Sequence, residues 1–157
     1  MARASTKENK TRYQLAREES NLSRAAVEEL TDGALTENRL EKIENERLNA
    51  NPTDVVLMSE TYNKPDLCNY YGTNECDIGK AYIPKVENIH ELPQTTLCLV
   101  SSLNQIESDK NSIINIASDG KISDDERADF ELFRKHLREM SLAIEALKLW
   151  CKKELGD

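Results

Sequence analysis

Polar and apolar residues alternate along this chain in helical periods, broken at a few sharp points. Ser23 is placed to cap a helix whose Ala26, Val27 and Leu30 share one side. Thr36 is placed to cap another, Thr36-Glu37-Asn38-Arg39-Leu40-Glu41-Lys42-Ile43-Glu44-Asn45, whose apolar stripe is only Leu40 and Ile43. A helix with so thin a stripe docks by one edge and shows its remaining surface outward. Two such segments joined by Thr31-Asp32-Gly33-Ala34 read as a helix-turn-helix, whose second helix conventionally enters the DNA major groove. A helix is predicted before them from Thr11 to Glu19, with Tyr13 or Leu15 and Ala16 inward. Another is predicted after the break Asn49-Ala50-Asn51-Pro52, capped by Thr53 and carrying Val55, Val56, Leu57, Met58 and Tyr62, with Pro65 closing the module.

Residues 65–93 differ in kind: three prolines, two glycines, three tyrosines and two cysteines predict a connector with little regular structure. From 94 to 157 a strong helical pattern returns. Leu99, Leu103, Ile106, Lys110 and Ile113 follow a four-three spacing. After Ser118-Asp119-Gly120, the series Phe130, Phe133, Leu137, Met140, Ile144, Leu147 and Cys151 continues for three heptads. Ser123 and Glu126 fit a capping box between the two helices. An antiparallel helical hairpin is the simplest expectation. A second stripe, Leu132, Leu142, Ala143, Ala146, Leu149 and Trp150, exceeds what one partner helix covers, which predicts dimerisation or packing elsewhere.

The chain is 157 residues long, with 38% hydrophobic and 32% charged residues and only five glycines, which favours an all-α protein in two parts. No stretch has the length and apolarity of a membrane span, and the polar start Met1–Arg12 does not read as a secretory signal. A cytoplasmic location is expected, with Cys68, Cys76, Cys98 and Cys151 reduced. The net charge of −8 argues against nonspecific nucleic-acid binding. Nine basic and twelve acidic side chains in the first 62 residues mean that any DNA contact uses a local patch. Residues 1–10 read as a flexible basic arm. The two histidines, His90 and His136, fall in different regions, and no nucleophile or phosphate-loop motif appears, so no enzyme is expected. Asn115 to Glu126 is faintly similar to a calcium loop, but Asn115 and Ala117 stand at its first and third ligand positions, and a plain turn is the expectation.

Arg17, the run Leu22-Ser23-Arg24, the run Thr36 to Asn45, and Pro52 together resemble the lambda-repressor/Cro-type, or Xre-like, helix-turn-helix domain. The resemblance implies a structural ion pair between Arg17 and Glu44. It implies phosphate or base contact by Arg24, and an outward recognition row of Thr36, Glu37, Asn38 and Lys42. Asn45 would touch the DNA backbone, and Arg12 with the basic arm would assist. Two departures stand out: a longer turn at Thr31–Leu35, and Glu28 where the family has a small alanine. The whole chain is similar to small helix-turn-helix regulators of Firmicutes with the same Cys68-Asn69-Tyr70-Tyr71 connector and helical tail. In those a third cysteine occupies the position of Gly72. With glycine there, Cys68 and Cys76 are an incomplete ligand set, and neither metal nor cofactor is expected.

The expected function is thus a dimeric, sequence-specific DNA-binding transcriptional regulator. Residues 11–64 would bind double-stranded DNA and residues 94–157 would dimerise, with no membrane partner. The alternative is a protein-interaction or adaptor module on the same helices.

Overall fold

The computed structural model describes residues 9–118 and 120–156; residues 1–8 of the expected basic arm at 1–10, Asp119 and Asp157 lie outside them. All regular structure among the described residues is α-helical. It comprises α1 (Arg12–Glu19), α2 (Arg24–Leu30), α3 (Glu37–Glu44), α4 (Pro52–Tyr62), α5 (Asp66–Asn74), α6 (Asp77–Tyr82), α7 (Leu92–Ala117) and α8 (Arg127–Leu155). No helix is long and apolar enough to cross a membrane. The chain divides into two compact units, Met1–Ile83 and Pro84–Asp157.

The first unit has a single core of Tyr13, Ala16, Val27, Leu35, Leu40, Ile43, Ala50, Val55, Met58, Tyr62 and Leu67. Helix α1 contributes Tyr13 and Ala16, while Leu15 is exposed. Helix α2 contributes only Val27; Leu30, expected inward, is 62% exposed because it lies at the helix end, beside the turn. Helix α4 starts two residues earlier than expected. Its N-cap is Asn51 rather than Thr53: the Asn51 side chain accepts from the Asp54 amide while Asp54 accepts from the Asn51 amide, both at 2.9 Å.

Residues 65–82, expected to be largely irregular, hold α5 and α6. Leu67 is fully buried in the core, and the Tyr70 ring meets Tyr13 edge-on at 5.9 Å. The Tyr13 hydroxyl donates to Glu75 across 2.8 Å. A composition rich in turn formers masked these helices because glycine is needed where they cross. A Cβ on Gly79 would stand 2.1 Å from the Gly72 carbonyl oxygen, so only glycine allows this approach. The segment from Ile83 to Glu91 has no regular structure.

In the second unit α7 and α8 lie side by side. Asp109 faces His136 at 2.6 Å and Ser112 faces Asp129 at 3.2 Å, which sets an antiparallel register. The stripe between them differs from the expected one. Thr95, Leu99, Ser102, Ile106, Asp109, Ile113 and Ile116 on α7 are all buried or half-buried, as are Phe133, His136, Met140, Ala143, Leu147 and Trp150 on α8. Leu103 and Lys110, then Leu137 and Ile144, were expected inside and are exposed. Small or polar residues replace them: Ser102 and Asp109, then His136 and Ala143. The Asp109–His136 pair satisfies its own polar atoms inside the seam. Ser123 and Glu126 do interact, the hydroxyl and amide of Ser123 both donating to Glu126, but this closes the turn before α8 rather than its first turn.

Candidate nucleic-acid interface

The outward face of α3 is built from the turn that precedes it. Ser23 caps α2 by accepting from the Ala26 amide at 3.1 Å. The Thr31 hydroxyl donates back to the Val27 carbonyl at 2.8 Å and accepts from the Leu35 amide at 3.2 Å. Gly33, at φ +78°, reverses the chain where a side chain would be strained. Leu35 then plugs fully into the core, and Thr36 caps α3 by accepting from the Arg39 amide at 3.3 Å. Glu28 has a definite task here. Its carboxylate accepts from the Glu37 amide at 2.8 Å, joining α2 to the positive end of α3. A small residue at this position would leave that amide to water.

Leu40, Ile43 and Glu44 form the buried edge of α3. The buried Glu44 carboxylate is held by two arginines. Arg17 Nε donates to Oε1 at 2.6 Å and Arg17 Nη2 to Oε2 at 2.9 Å, while Arg17 Nη1 donates to the Leu22 carbonyl at 2.7 Å. Arg24 Nε also donates to Glu44 Oε2, at 2.9 Å. Burial alone would ease proton loss from Arg17, but the Glu44 hydrogen bonds and charge outweigh it and hold the guanidinium protonated beyond its ordinary range. The Tyr62 hydroxyl is buried without a protein partner, and burial first, then the Glu44 charge, push its ionisation upward.

The remaining positions singled out from the sequence are dispersed. Thr36, Glu37, Asn38 and Lys42 are exposed on α3, and Asn45 is half-buried as its C-cap. Arg24 is not free to reach outward, because Glu44 engages it. Arg12 lies in the first turn of α1, salt-bridged to Asp66 at 2.5 Å, beside a polar cleft shared with Asn49, Tyr71 and Lys80. Cys68 is exposed on α5 and Cys76 is half-buried at the N-cap of α6. A Cβ at Gly72 would stand 3.0 Å from Ile83 Cδ1, so a side chain there must displace Ile83.

Arg39 is a structural residue that pattern reading left out. It clamps Asp54 on α4 with two hydrogen bonds of 2.7 Å, tying the outward helix to the next. Only its place on α3 opposite the Asn51–Asp54 cap reveals this role. The clamp completes a general neutralisation. Over residues 9–83 there are nine lysines and arginines against fourteen carboxylates, a net of −5. Lys10, Arg12, Arg17, Arg24, Arg39, Arg47, Lys64 and Lys80 each have a carboxylate within 4.0 Å. Lys42 alone among the described cations of this unit has none. No family model matches the chain, and neither does any curated protein or solved structure.

Proposed function

We propose that the protein is a DNA-binding transcriptional regulator that lays α3 in the major groove of double-stranded DNA and acts as a homodimer through residues 94–157. The reading treats residues 11–64 as a lambda-repressor-like helix-turn-helix and the tail as a helical hairpin, in a cytoplasmic, non-catalytic protein. One observation carries it: α3 is anchored by one buried edge and turns outward Thr36, Asn38 and the uncompensated Lys42. Asn38 and Lys42 are one turn apart and share a face. Asparagine reads adenine and lysine reads guanine or phosphate, while Glu37 accepts from cytosine. Asn45, Arg12 and Arg24 flank this row for backbone contact, the two arginines after exchanging Asp66 and Glu44 for phosphate.

The test is selection of the purified chain against random duplex DNA at low, then physiological salt. The reading expects an enriched pseudo-palindromic motif. Lys42→Ala should weaken binding to it by about 1–3 kcal/mol at unchanged stability. Arg24→Ala is the poorer probe, since it also loosens Glu44. No enriched motif from folded protein at low salt removes the reading.

The net charge of −5 with paired arginines favours a second reading, an adaptor whose exposed helices bind another protein. In that case Lys42→Ala changes nothing on DNA.

A further inference from the structure

The proposed homodimer needs a contact face, and the geometry of α7 and α8 singles one out. One flank of their seam faces the irregular segment that precedes α7. There, residues 85–88 and His90, together with Cys98, Ser101, Leu142 and Ala146, line a cavity of about 730 Å³. Leu149 is buried on α8.

The opposite flank lies one residue further along each seam position, a rotation of about 100°. Because the helices are antiparallel, this step leads to the same side of both. It takes Ser102 to Leu103, Ile113 to Ile114, His136 to Leu137, Ala143 to Ile144 and Trp150 to Cys151, with Arg134, Ser141 and Lys148 interspersed on α8, the two cations paired with Glu131 and Glu145. Leu103 is 45% exposed, Leu137 43% and Ile144 40%, and Ile114 is exposed as well. Glu107 and Lys110, paired at 3.2 Å, accompany them on α7 without adding net charge.

We propose that this flank docks a second copy of itself, forming an antiparallel four-helix bundle with a two-fold axis level with residues 140 and 141. The inference rests on the homodimer reading and specifies its surface. Its spacing is self-complementary. Phe130, Leu137, Ile144 and Cys151 are seven apart, so an antiparallel copy centred there sets Leu137 on Ile144 and Phe130 on Cys151 of the other chain. The Asp109–His136 register puts the same level of α7 between Leu103 and Ile106, so the axis passes near the exposed Leu103. The area also suffices. A helix of 26 residues is about 39 Å long, and two side by side present about 800 Å², the size of one partner's share in a stable interface.

Sedimentation equilibrium of the full chain tests this. The wild-type chain should be a dimer. Leu137→Asp and Ile144→Asp should each weaken it about a hundredfold while circular dichroism stays helical. Leu97→Asp and Leu142→Asp, off this flank, should leave it dimeric. In a background with the four cysteines replaced by serine, oxidising a mixture of Leu137→Cys and Ile144→Cys chains should yield more cross-linked dimer than either variant alone. A monomeric wild-type chain overturns the inference. So does a dimer that dissociates with Leu142→Asp but survives Ile144→Asp, or cross-linking no better in the mixture. None of these readouts involves DNA, so a monomer overturns the homodimer reading together with this inference, a dimer that survives Ile144→Asp overturns this inference alone, and a dimer that selects no DNA motif overturns the DNA reading alone.

Discussion

The two units close their interiors differently. The first encloses large apolar side chains, Leu35, Leu40, Met58 and Leu67 among them, and spends its charged residues as clasps around that core. The second mixes Thr95, Ser102, Asp109, His136 and Ala143 with Leu99, Ile106, Ile113, Phe133, Met140 and Leu147 along the seam of two long helices and leaves Leu103, Leu137 and Ile144 outside. Two helices have only one shared line to bury, whereas six short helices crossing at several angles enclose a volume. The first unit is thus complete as a core, while the second has an apolar face that its own two helices leave open. What covers that face and what the outward side of α3 recognises are separate questions.

The sharpest way to break this comparison is to remove the clasp. Glu44→Gln leaves the buried Arg17 without its counter-charge and should cost the first unit about 3–5 kcal/mol, read by chemical denaturation. Replacing Arg17 and Glu44 together by apolar residues should cost much less, because no unpaired charge remains.

Cavity formation comes next. Leu40→Ala, at a site with no solvent exposure, should destabilise by about 3 kcal/mol. Leu103→Ala should leave the stability of the isolated chain within about 1 kcal/mol and act instead on self-association. Equal thermal shifts for the two would erase the distinction between the units.

The smallest expected effect is acidic. Burial alone would raise the Asp54 carboxyl, but hydrogen bonds from Arg39 and from the Asn51 amide, with the Arg39 charge, outweigh it and hold it below its ordinary range. A depressed folded-state value stabilises the fold above the ordinary carboxylate pKa of about 4, and that contribution fades as pH falls through the lower folded value. Asp54→Asn should therefore be less stable than the native chain by a constant amount above about pH 5, with the gap closing in acid. Denaturation at a series of pH values checks this; a gap that widens in acid would contradict the clamp.

Much of the first unit was legible because its signals are local. Caps at Ser23 and Thr36 are read directly off side-chain type. The thin stripe of Leu40 and Ile43 follows from helical period alone. Glu28 capping α3 and Arg39 clamping Asp54 were hidden, since each depends on what another helix brings within reach. The same holds for Arg24, which by residue type suits phosphate and by position is held on Glu44.

Sequence alone determined that the chain is helical, roughly where the helices start and stop, and that its tail carries more apolar surface than one neighbour can cover. Caps, periods and composition act within a few residues, so they survive without coordinates. Tertiary structure decided that residues 65–82 belong to the first core, through the Gly72–Gly79 approach and the burial of Leu67. It also decided which stripe of α7 and α8 faces inward. Helical period alone leaves neighbouring stripes in competition, and the Asp109–His136 and Ser112–Asp129 pairs fixed the register.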